Sequence, residues 1–497
     1  MPLPLFARAL DHAGRIAVVA PEGVFTYRDL LEASGSAANR LLAGREDMEE
    51  ARVCFLVPPG WDYVAVQWAI WRSGGVAVPL ATSHPPAELA YVLDDAAPEA
   101  LVVHPSLVDR VAGVAAERGL EVHQTPAFIE EGPVAALPVL AGSRRAMMLY
   151  TSGTTGRPKG VVTTHANNEA QVRSLVEAWG WTRDDHILLT LPLHHVHGIV
   201  NVLSCALWAG AVCQILTKFE PAATWERIAR GDLTLFMAVP TLYGRLIAAW
   251  EAADEATRMR WSAAARGLRL MVSGSAALPV PTLERWEEIT GQRLLERYGM
   301  TEIGMGISNP LRGERRPGHV GQPLPGVEVR LVDEAGVIVS EGASGQIEVG
   351  GPGVFGEYWR RPDATAEAFT SDGWFRTGDR AVLADGSYRI LGRESVDILK
   401  TGGEKVSALE IEDELRSHPA VADCAVVGVP DPDWGDRVCA AVVARPGAAP
   451  EPEELRSYVK ERLAPYKVPK EVRVVADLPR NAMGKVTKPD VKKLFGC

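Results

Sequence analysis

Eleven residues, Y-T-S-G-T-T-G-R-P-K-G from Tyr150 to Gly160, concentrate the groups that hold an anion. The glycines let backbone N–H groups crowd a ligand, the threonines and serine add hydroxyl donors, and Arg157 and Lys159 supply positive charge. A phosphate chain fits that composition. The spacing is not that of the P-loop, which needs four residues between its first glycine and a Gly-Lys-Ser/Thr. Here Lys159 follows Pro158 and precedes Gly160, so the ordinary NTPase loop is excluded.

Four further stretches carry groups suited to chemistry. E-R-Y-G-M-T-E, Glu296 to Glu302, offers an aromatic face in Tyr298, tight backbone at Gly299, a hydroxyl in Thr301 and a carboxylate in Glu302. Together these suit a base, a phosphate and Mg²⁺. F-R-T-G-D, Phe375 to Asp379, places an acid after a turn glycine, where it can bond a ribose diol. L-P-L-H-H-V-H-G, Leu191 to Gly198, has three histidines in four positions. On an extended segment His195 and His197 share a face and His194 opposes them, but a zinc site would lack a third ligand nearby, so a pocket or core role is preferred. G-P-G-V-F-G, Gly351 to Gly356, matches the dinucleotide fingerprint in letters only. A true fingerprint opens a helix, and Pro362 interrupts the residues after Gly356, so this segment reads as a glycine-rich turn.

These groups must be positioned by a large scaffold. At 497 residues the chain has room for about three lobes of roughly 150 residues. Hydrophobic residues at 47% and charged residues at 23% exclude a disordered chain. The net charge of −11 argues against a nucleic-acid partner. Six scattered cysteines without a C-x-x-C pair fit a reducing compartment. Asp11 and His12 break the N-terminal apolar run before a signal-peptide core forms, and no run reaches the roughly 18 residues of a membrane span. No membrane association is expected, and a cytoplasmic location is the default.

Short apolar runs (R-V-C-F-L-V, V-A-V-P-L, A-L-V-V, H-I-L-L-T-L) alternate with helical stretches such as A-V-Q-W-A-I-W-R, which predicts α/β layers on mainly parallel sheets. From about Gly321 the runs shorten and alternate between Gly and Asp turns, predicting antiparallel β structure. After Gly392 about a hundred residues of mixed α+β suffice for a separate small domain. The expected organisation is α/β: a large domain over 1–391, with layered α/β subdomains and a small β-barrel-like subdomain, then a small mobile α+β domain over 392–497.

In order along the chain stand Y-T-S-G-T-T-G-R-P-K-G, G-S-A-A-L-P, R-Y-G-M-T-E, W-F-R-T-G-D, G-R-E-S-V-D-I-L-K-T-G-G and L-P-R-N-A-M-G-K. This series closely resembles the successive core motifs of the adenylate-forming superfamily, which holds acyl-CoA synthetases, peptide-synthetase adenylation domains and firefly luciferase. The resemblance covers essentially the whole chain. It implies that Thr151, Ser152, Gly153, Thr154, Thr155 and Lys159 meet the β- and γ-phosphates of ATP. Tyr298 and Gly299, with the backbone of Gly274, Ser275 and Ala276, enclose adenine. Thr301 meets the α-phosphate, Glu302 and Thr155 hold Mg²⁺, and Asp379 and Arg393 hold ribose. Lys485 matches the lysine that bridges the carboxylate and the α-phosphate during adenylation.

The same resemblance implies that the C-terminal domain turns between half-reactions and presents Thr401, Gly402 and Gly403 to the thiol of CoA. Counted from Arg393 the hinge is Ser395; counted back from Gly402 it is Val396, because one residue is extra. Arg437, Lys467 and Lys470 are candidate cations for the CoA phosphates, weighed against ordinary solvated charges.

Arg297 bears on the choice of acid. A guanidinium immediately before Tyr298 is costly beside a fatty chain and suits a second carboxylate, which it can bind as a fork; the plain alternative is a pair with Glu296 or a surface acid. E-R-Y-G-M-T-E together with L-P-L-H-H-V-H-G looks like the malonyl-CoA synthetase branch. There an arginine, a pocket histidine (here His195 or His197) and a serine near G-S-A (Ser273 or Ser275) select malonate and often methylmalonate. The expected activity is therefore an ATP- and Mg²⁺-dependent malonate–CoA ligase. The alternatives are a medium-chain or aromatic acyl-CoA synthetase, or a stand-alone adenylation enzyme that loads a carrier protein.

Overall fold

The computed structural model describes residues 3–132, 136–151, 157–401, 404–432, 434–480 and 485–496. Ser152, Gly153, Thr154, Thr155, Gly402 and Gly403 lie outside the described residues. The short β-branched runs form strands of two large sheets. In one sheet of seven strands, Arg145–Thr151, Val76–Pro79, Arg52–Leu56, Ala100–Val103 and Glu121–Gln124 run parallel, and Lys159–Thr164 and Glu357–Tyr358 close one edge antiparallel. The other has nine strands. From its functional edge the order is Gln322–Pro323, Gly304–Ser308, Leu295–Met300, Leu270–Ser273, Leu235–Ala238, His186–Leu189, Val212–Ile215, Ile16–Ala20 and Gly23–Thr26. The central strands are parallel, as their uninterrupted apolar character predicts for strands covered on both faces.

One core joins the two sheets. Val53, Phe55 and Met147 of the first pack with Ile187, Leu235 and Leu295 of the second through helices laid between them. The helix Trp61–Arg72 is buried on all sides, which is why A-V-Q-W-A-I-W-R lacks a polar stripe. Two flanking helices begin at matching devices. Thr26 caps Tyr27–Leu42 and Thr164 caps His165–Ala178, each with a reciprocal bond from the third helical residue, Asp29 or Asn167.

The stretch after Gly321 forms the small β subdomain on a four-stranded antiparallel sheet: Glu328–Val332, Ser344–Gly350, Phe375–Ala384 and Ser387–Arg393. G-P-G-V-F-G is a turn leading into Glu357–Tyr358, as its failure to open a helix predicts. Beyond Arg393 a further sheet contains Ile398–Thr401, Glu404–Ser407, Val421–Asp431, Gly435–Ala444 and Glu471–Val475. It packs on Ala408–Ser417 and Pro452–Lys460 around its own core of Leu399, Ile411, Val426, Val442 and Leu455. An ion pair from Lys405 to Glu334 ties this unit to the β subdomain.

The histidine segment is not extended. His194 and His195 lie in a turn and His197 opens a π-helical turn, His197–Ser204, in which every residue is buried. A short run buried on every side reads alike as strand or helix, because periodicity carries no information when no residue faces water. Single π turns also recur at functional sites. Among the described residues, no helix is long and apolar enough to cross a membrane.

Candidate active site

The strand Leu295–Met300 carries the centre of the site. It runs parallel to Leu270–Ser273 and antiparallel to Gly304–Ser308, and successive side chains leave on opposite faces. Glu296 turns one way, accepting the Leu278 N–H at 3.0 Å, and Arg297 turns the other. Arg297 is only 3% exposed. Its Nη2 donates to Ser275 Oγ at 3.3 Å, and that hydroxyl stands 3.2 Å from His197 Nδ1. The guanidinium lies against Gly274, where a Cβ would come within 2.6 Å of Arg297 Cζ. Ser275 itself is held in the left-handed region at φ 70°.

Among the described residues, no carboxylate lies within ion-pair distance of Arg297, and Arg297 Nε and His197 Nε2 are buried without partners. Burial pulls the Arg297 pKa down to about 9, against the raising influence of Glu296. Burial, then Arg297 and His195, hold His197 well below the usual imidazole range, so it is neutral at pH 7. A desolvated cation with two uncharged polar neighbours favours a carboxylate or another small anion. The pairing of Arg297 with Glu296 is therefore absent.

Of the two candidate histidines, His197 shares Ser275 with Arg297. The ring of His195 instead packs on His194, with centroids 4.1 Å apart, and burial lowers its pKa to about 4. Of the two serines, Ser275 bridges the cluster, whereas Ser273 Oγ is buried without a partner among the described residues. No three His, Cys, Asp or Glu side chains among the described residues gather into a metal-binding group.

Glu296 has its own consequence. Burial raises its carboxyl to about 8, so the folded protein keeps a proton that the unfolded chain sheds near the ordinary carboxylate value. Between those limits the unfolded state binds fewer protons, and stability falls as pH rises by up to about 1.4 kcal/mol per unit. Glu296→Gln keeps the acceptor for Leu278 N–H and removes the titration. Urea denaturation of the variant should lose less stability between pH 5 and 8 than the wild type. Parallel curves would show that Glu296 is not protonated in the fold.

The nucleotide candidates converge on the other side of the same strand. Tyr298 Oη donates to Asp379 Oδ2 at 2.6 Å, and Arg393 Nε donates to Asp379 Oδ1 at 2.9 Å. Asp379 and Arg393 sit directly opposite each other on adjacent antiparallel strands, so the sheet register brings them together from fourteen positions apart. Gly299 is required sterically, since a Cβ would come 2.1 Å from Gly304 O. Thr301 and Glu302 lie in the turn after that strand. Tyr358 Oη donates to Glu302 Oε1 at 2.8 Å, and burial raises the Glu302 pKa.

Lys159 Nζ lies 4.9 Å from the centroid of the Tyr358 ring, so Tyr358 joins the acid of one motif to the cation of another. Thr151 and Lys159 face each other at the mouth of their hairpin. Asp95 holds the base of that hairpin, accepting from Tyr150 Oη at 2.8 Å and pairing with Arg361 at 2.7 Å. Neither Tyr358 nor Asp95 stands out in the sequence. For Tyr358 the available signal was its place in E-Y-W-R-R-P, on an edge strand that pairs with the one beginning at Lys159.

Ser395 and Val396 share the turn between Arg393 and Ile398, and Thr401 is buried at the end of its strand. Lys485 is exposed, next to Val486, which pairs with Arg480. Arg437 pairs with Glu471 at 2.9 Å and Lys467 with Glu410 at 2.7 Å, while Lys470 Nζ sits 4.1 Å over the Trp434 ring. Two of these three CoA candidates are thus engaged in ordinary ion pairs.

The AMP-binding enzyme pattern matches residues 5–359, and the AMP-binding enzyme C-terminal domain matches residues 410–485. The chain belongs to the AMP-binding enzyme family. The enzyme is 47% identical to the mitochondrial malonate–CoA ligase ACSF3 of Xenopus laevis, over 98% of this chain and 91% of that protein. It superposes on ATP-bound MatB from Rhodopseudomonas palustris with a TM-score of 0.92 at 37% identity, over 100% of this chain and 99% of that one. Against a malonyl-CoA ligase with methylmalonyl-CoA and AMP bound, the TM-score is 0.70 at 38% identity, over 96% of this chain and 100% of that one. The identities are nearly equal, so the overall arrangement, rather than sequence distance, separates the two matches.

Proposed function

We propose that this AMP-forming acyl-CoA ligase activates malonate, and also methylmalonate, as an acyl-adenylate and transfers the acyl group to CoA, giving AMP and pyrophosphate. The observation that carries the choice of acid is Arg297, buried without a carboxylate partner among the described residues and bridged by Ser275 to a neutral His197. A diacid gives that guanidinium its distal carboxylate and leaves the other for reaction. An octanoyl or benzoyl group would bury the guanidinium against hydrocarbon, which disfavours the medium-chain and aromatic readings.

In adenylation the free carboxylate attacks the α-phosphorus of ATP. A carboxyl O–P bond forms and the bond to the leaving pyrophosphate breaks. Both reactants are anions, so the protein's task is alignment and charge stabilisation rather than proton abstraction. In this reading Lys485 bridges the two reactants, Lys159 and Thr151 hold the distal phosphates, Thr301 meets the α-phosphate, and Asp379 and Arg393 hold ribose beside Tyr298. Glu302 fits Mg²⁺, because its buried carboxylate has only the Tyr358 hydroxyl as a side-chain hydrogen-bond partner among the described residues. Bound there, the ion would screen phosphate charge.

The domains divide at 391/392. The turn holding Ser395 and Val396 is the hinge that moves the C-terminal domain, bringing Thr401 toward the CoA thiol. The higher likeness to an ATP-bound relative supports assigning the present arrangement to the first half-reaction. Free CoA is the acceptor in this reading, with a carrier protein as the alternative.

CoA-dependent AMP release with ATP and Mg²⁺ tests the proposal across malonate, methylmalonate, succinate, acetate, butyrate, octanoate and benzoate. Malonate should lead and the monoacids fail. Methylmalonate should also react, within about 10–200-fold of malonate, since one methyl changes binding by about 1–3 kcal/mol. Faster turnover of octanoate or benzoate would overturn the diacid assignment while leaving adenylation intact.

A further inference from the structure

Asp397 fastens the end of the turn after Arg393. The Asp397 N–H donates to Arg393 O at 2.7 Å, and Asp397 Oδ2 accepts the Arg393 N–H at 3.1 Å. Gly392 permits the close approach, since a Cβ there would come 2.4 Å from Asp397 Cβ and its φ of 115° is left-handed. The other oxygen, Asp397 Oδ1, pairs with Lys488 Nζ at 2.9 Å. Lys488 also meets Glu412 Oε1 at 2.5 Å and Val426 O at 2.9 Å, and its side chain is only 11% exposed. Glu412 accepts the Val426 N–H at 2.8 Å, so the ammonium sits in a fully bonded, buried socket.

Lys488 lies three residues after Lys485. Between them, Val486 pairs with Arg480, and the Thr487 N–H donates to Pro479 O at 2.9 Å. Hydrogen bonds and ion pairs therefore run from Tyr298 and Asp379 through Arg393 and Asp397 to Lys488, on the same short segment as Lys485. Rotating the chain at Ser395 or Val396 changes the separation of Arg393 and Asp397 and must break the bonds between them. The connection from the ribose-side arginine to the Lys485 segment consequently exists in this arrangement and not in a rotated one.

We infer that Lys488 is a positioning residue for adenylation: by fixing the Asp397 carboxylate beneath the hinge turn, it registers Lys485 with the nucleotide-side residues. This rests on the proposed role of Lys485 and on the hinge. Thioester formation uses neither the Arg393–Asp397 bonds nor Lys485, so Lys488 acts selectively on the first half-reaction.

The test measures both half-reactions in the full-length Lys488→Met enzyme. Acid-dependent ATP–pyrophosphate exchange should fall at least about tenfold in rate, equivalent to about 1.4 kcal/mol of barrier, with the KM for ATP within about twofold. Thioester formation from supplied acyl-adenylate and CoA should stay within about twofold. Lys488→Arg, which keeps the cation, should recover part of the exchange. Asp397→Asn retains an acceptor for Arg393 N–H, removes the ion pair, and should reproduce the selective loss even if Lys488→Met folds poorly. Equal losses in both half-reactions, or no loss in either, overturn the inference. Each variant is compared with wild type using the acid that drives wild-type exchange fastest, so a wrong choice of diacid does not enter the result.

Discussion

Lys485→Ala should cripple acyl-adenylate formation and leave thioester formation from supplied acyl-adenylate within about threefold of wild type. The expected loss of exchange is about 10²–10³-fold, the scale of removing one preorganised electrostatic contact to a developing charge. The asymmetry has a chemical origin. Adenylation brings a carboxylate against a polyphosphate, so a cation between them acts mainly in the transition state and its loss appears in kcat rather than in the KM for ATP. In the second step the electrophile is a mixed anhydride with AMP as leaving group, and a thiol attacks carbon, at a centre that the proposed rotation has taken away from Lys485. Ammonium chemistry at this position differs from guanidinium chemistry, so Lys485→Arg should restore little. If both half-reactions fall together, Lys485 is needed for folding or for both steps, and the assignment fails.

The sequence made some of this arrangement legible and hid the rest for physical reasons. The hairpin that ends at Thr151 and Lys159, the Arg297–Tyr298–Glu302 strand and turn, and the Asp379–Arg393 pair all lie in motifs whose residue types signal charge or tight turns. The layered sheets were likewise visible, because parallel strands covered on both faces must be apolar throughout. The same rule misled at the histidines, where a wholly buried π-helical turn carries no periodicity to distinguish it from a strand. The choice of Ser275 over Ser273 depends on a left-handed backbone at Ser275 that spacing alone does not announce. Tyr358, Asp95 and Lys488 were missed because each acts on partners far away in sequence, and Asp397 meets Lys488 in the same way; such contacts arise from sheet register and from packing within each domain. A tyrosine on an edge strand, or a lysine at the start of a last helix, looks the same whether it faces water or a buried acid.

Arg297 provides the decisive comparison between a recognition role and a structural one. Arg297→Ala should lower kcat/KM for malonate by about 30–1,000-fold, corresponding to about 2–4 kcal/mol for removing one partner of a desolvated charge pair, mainly through a higher KM for malonate. The KM for ATP should change less than about threefold, because the proposed adenine and ribose contacts fall to Tyr298 and to the Asp379–Arg393 pair, in which Asp379 accepts hydrogen bonds from both Tyr298 and Arg393. Arg297→Lys should rescue weakly, since an ammonium cannot form the paired bonds of a guanidinium with a carboxylate. Stability separates the alternatives without reference to turnover. A structural arginine would leave a buried acid unpaired when removed, whereas Arg297 pairs with no described carboxylate and its burial already depresses its pKa to about 9. Replacing it with Met, which fills the stem and removes an uncompensated charge, should therefore leave the ligand-free protein at least as stable as wild type. Malonate should raise the thermal midpoint of wild type and not that of Arg297→Met, because only a ligand that binds the folded state stabilises it. A large drop in the ligand-free midpoint, together with matched increases in KM for malonate and ATP, would make Arg297 a core residue and return the acyl pocket to an apolar reading.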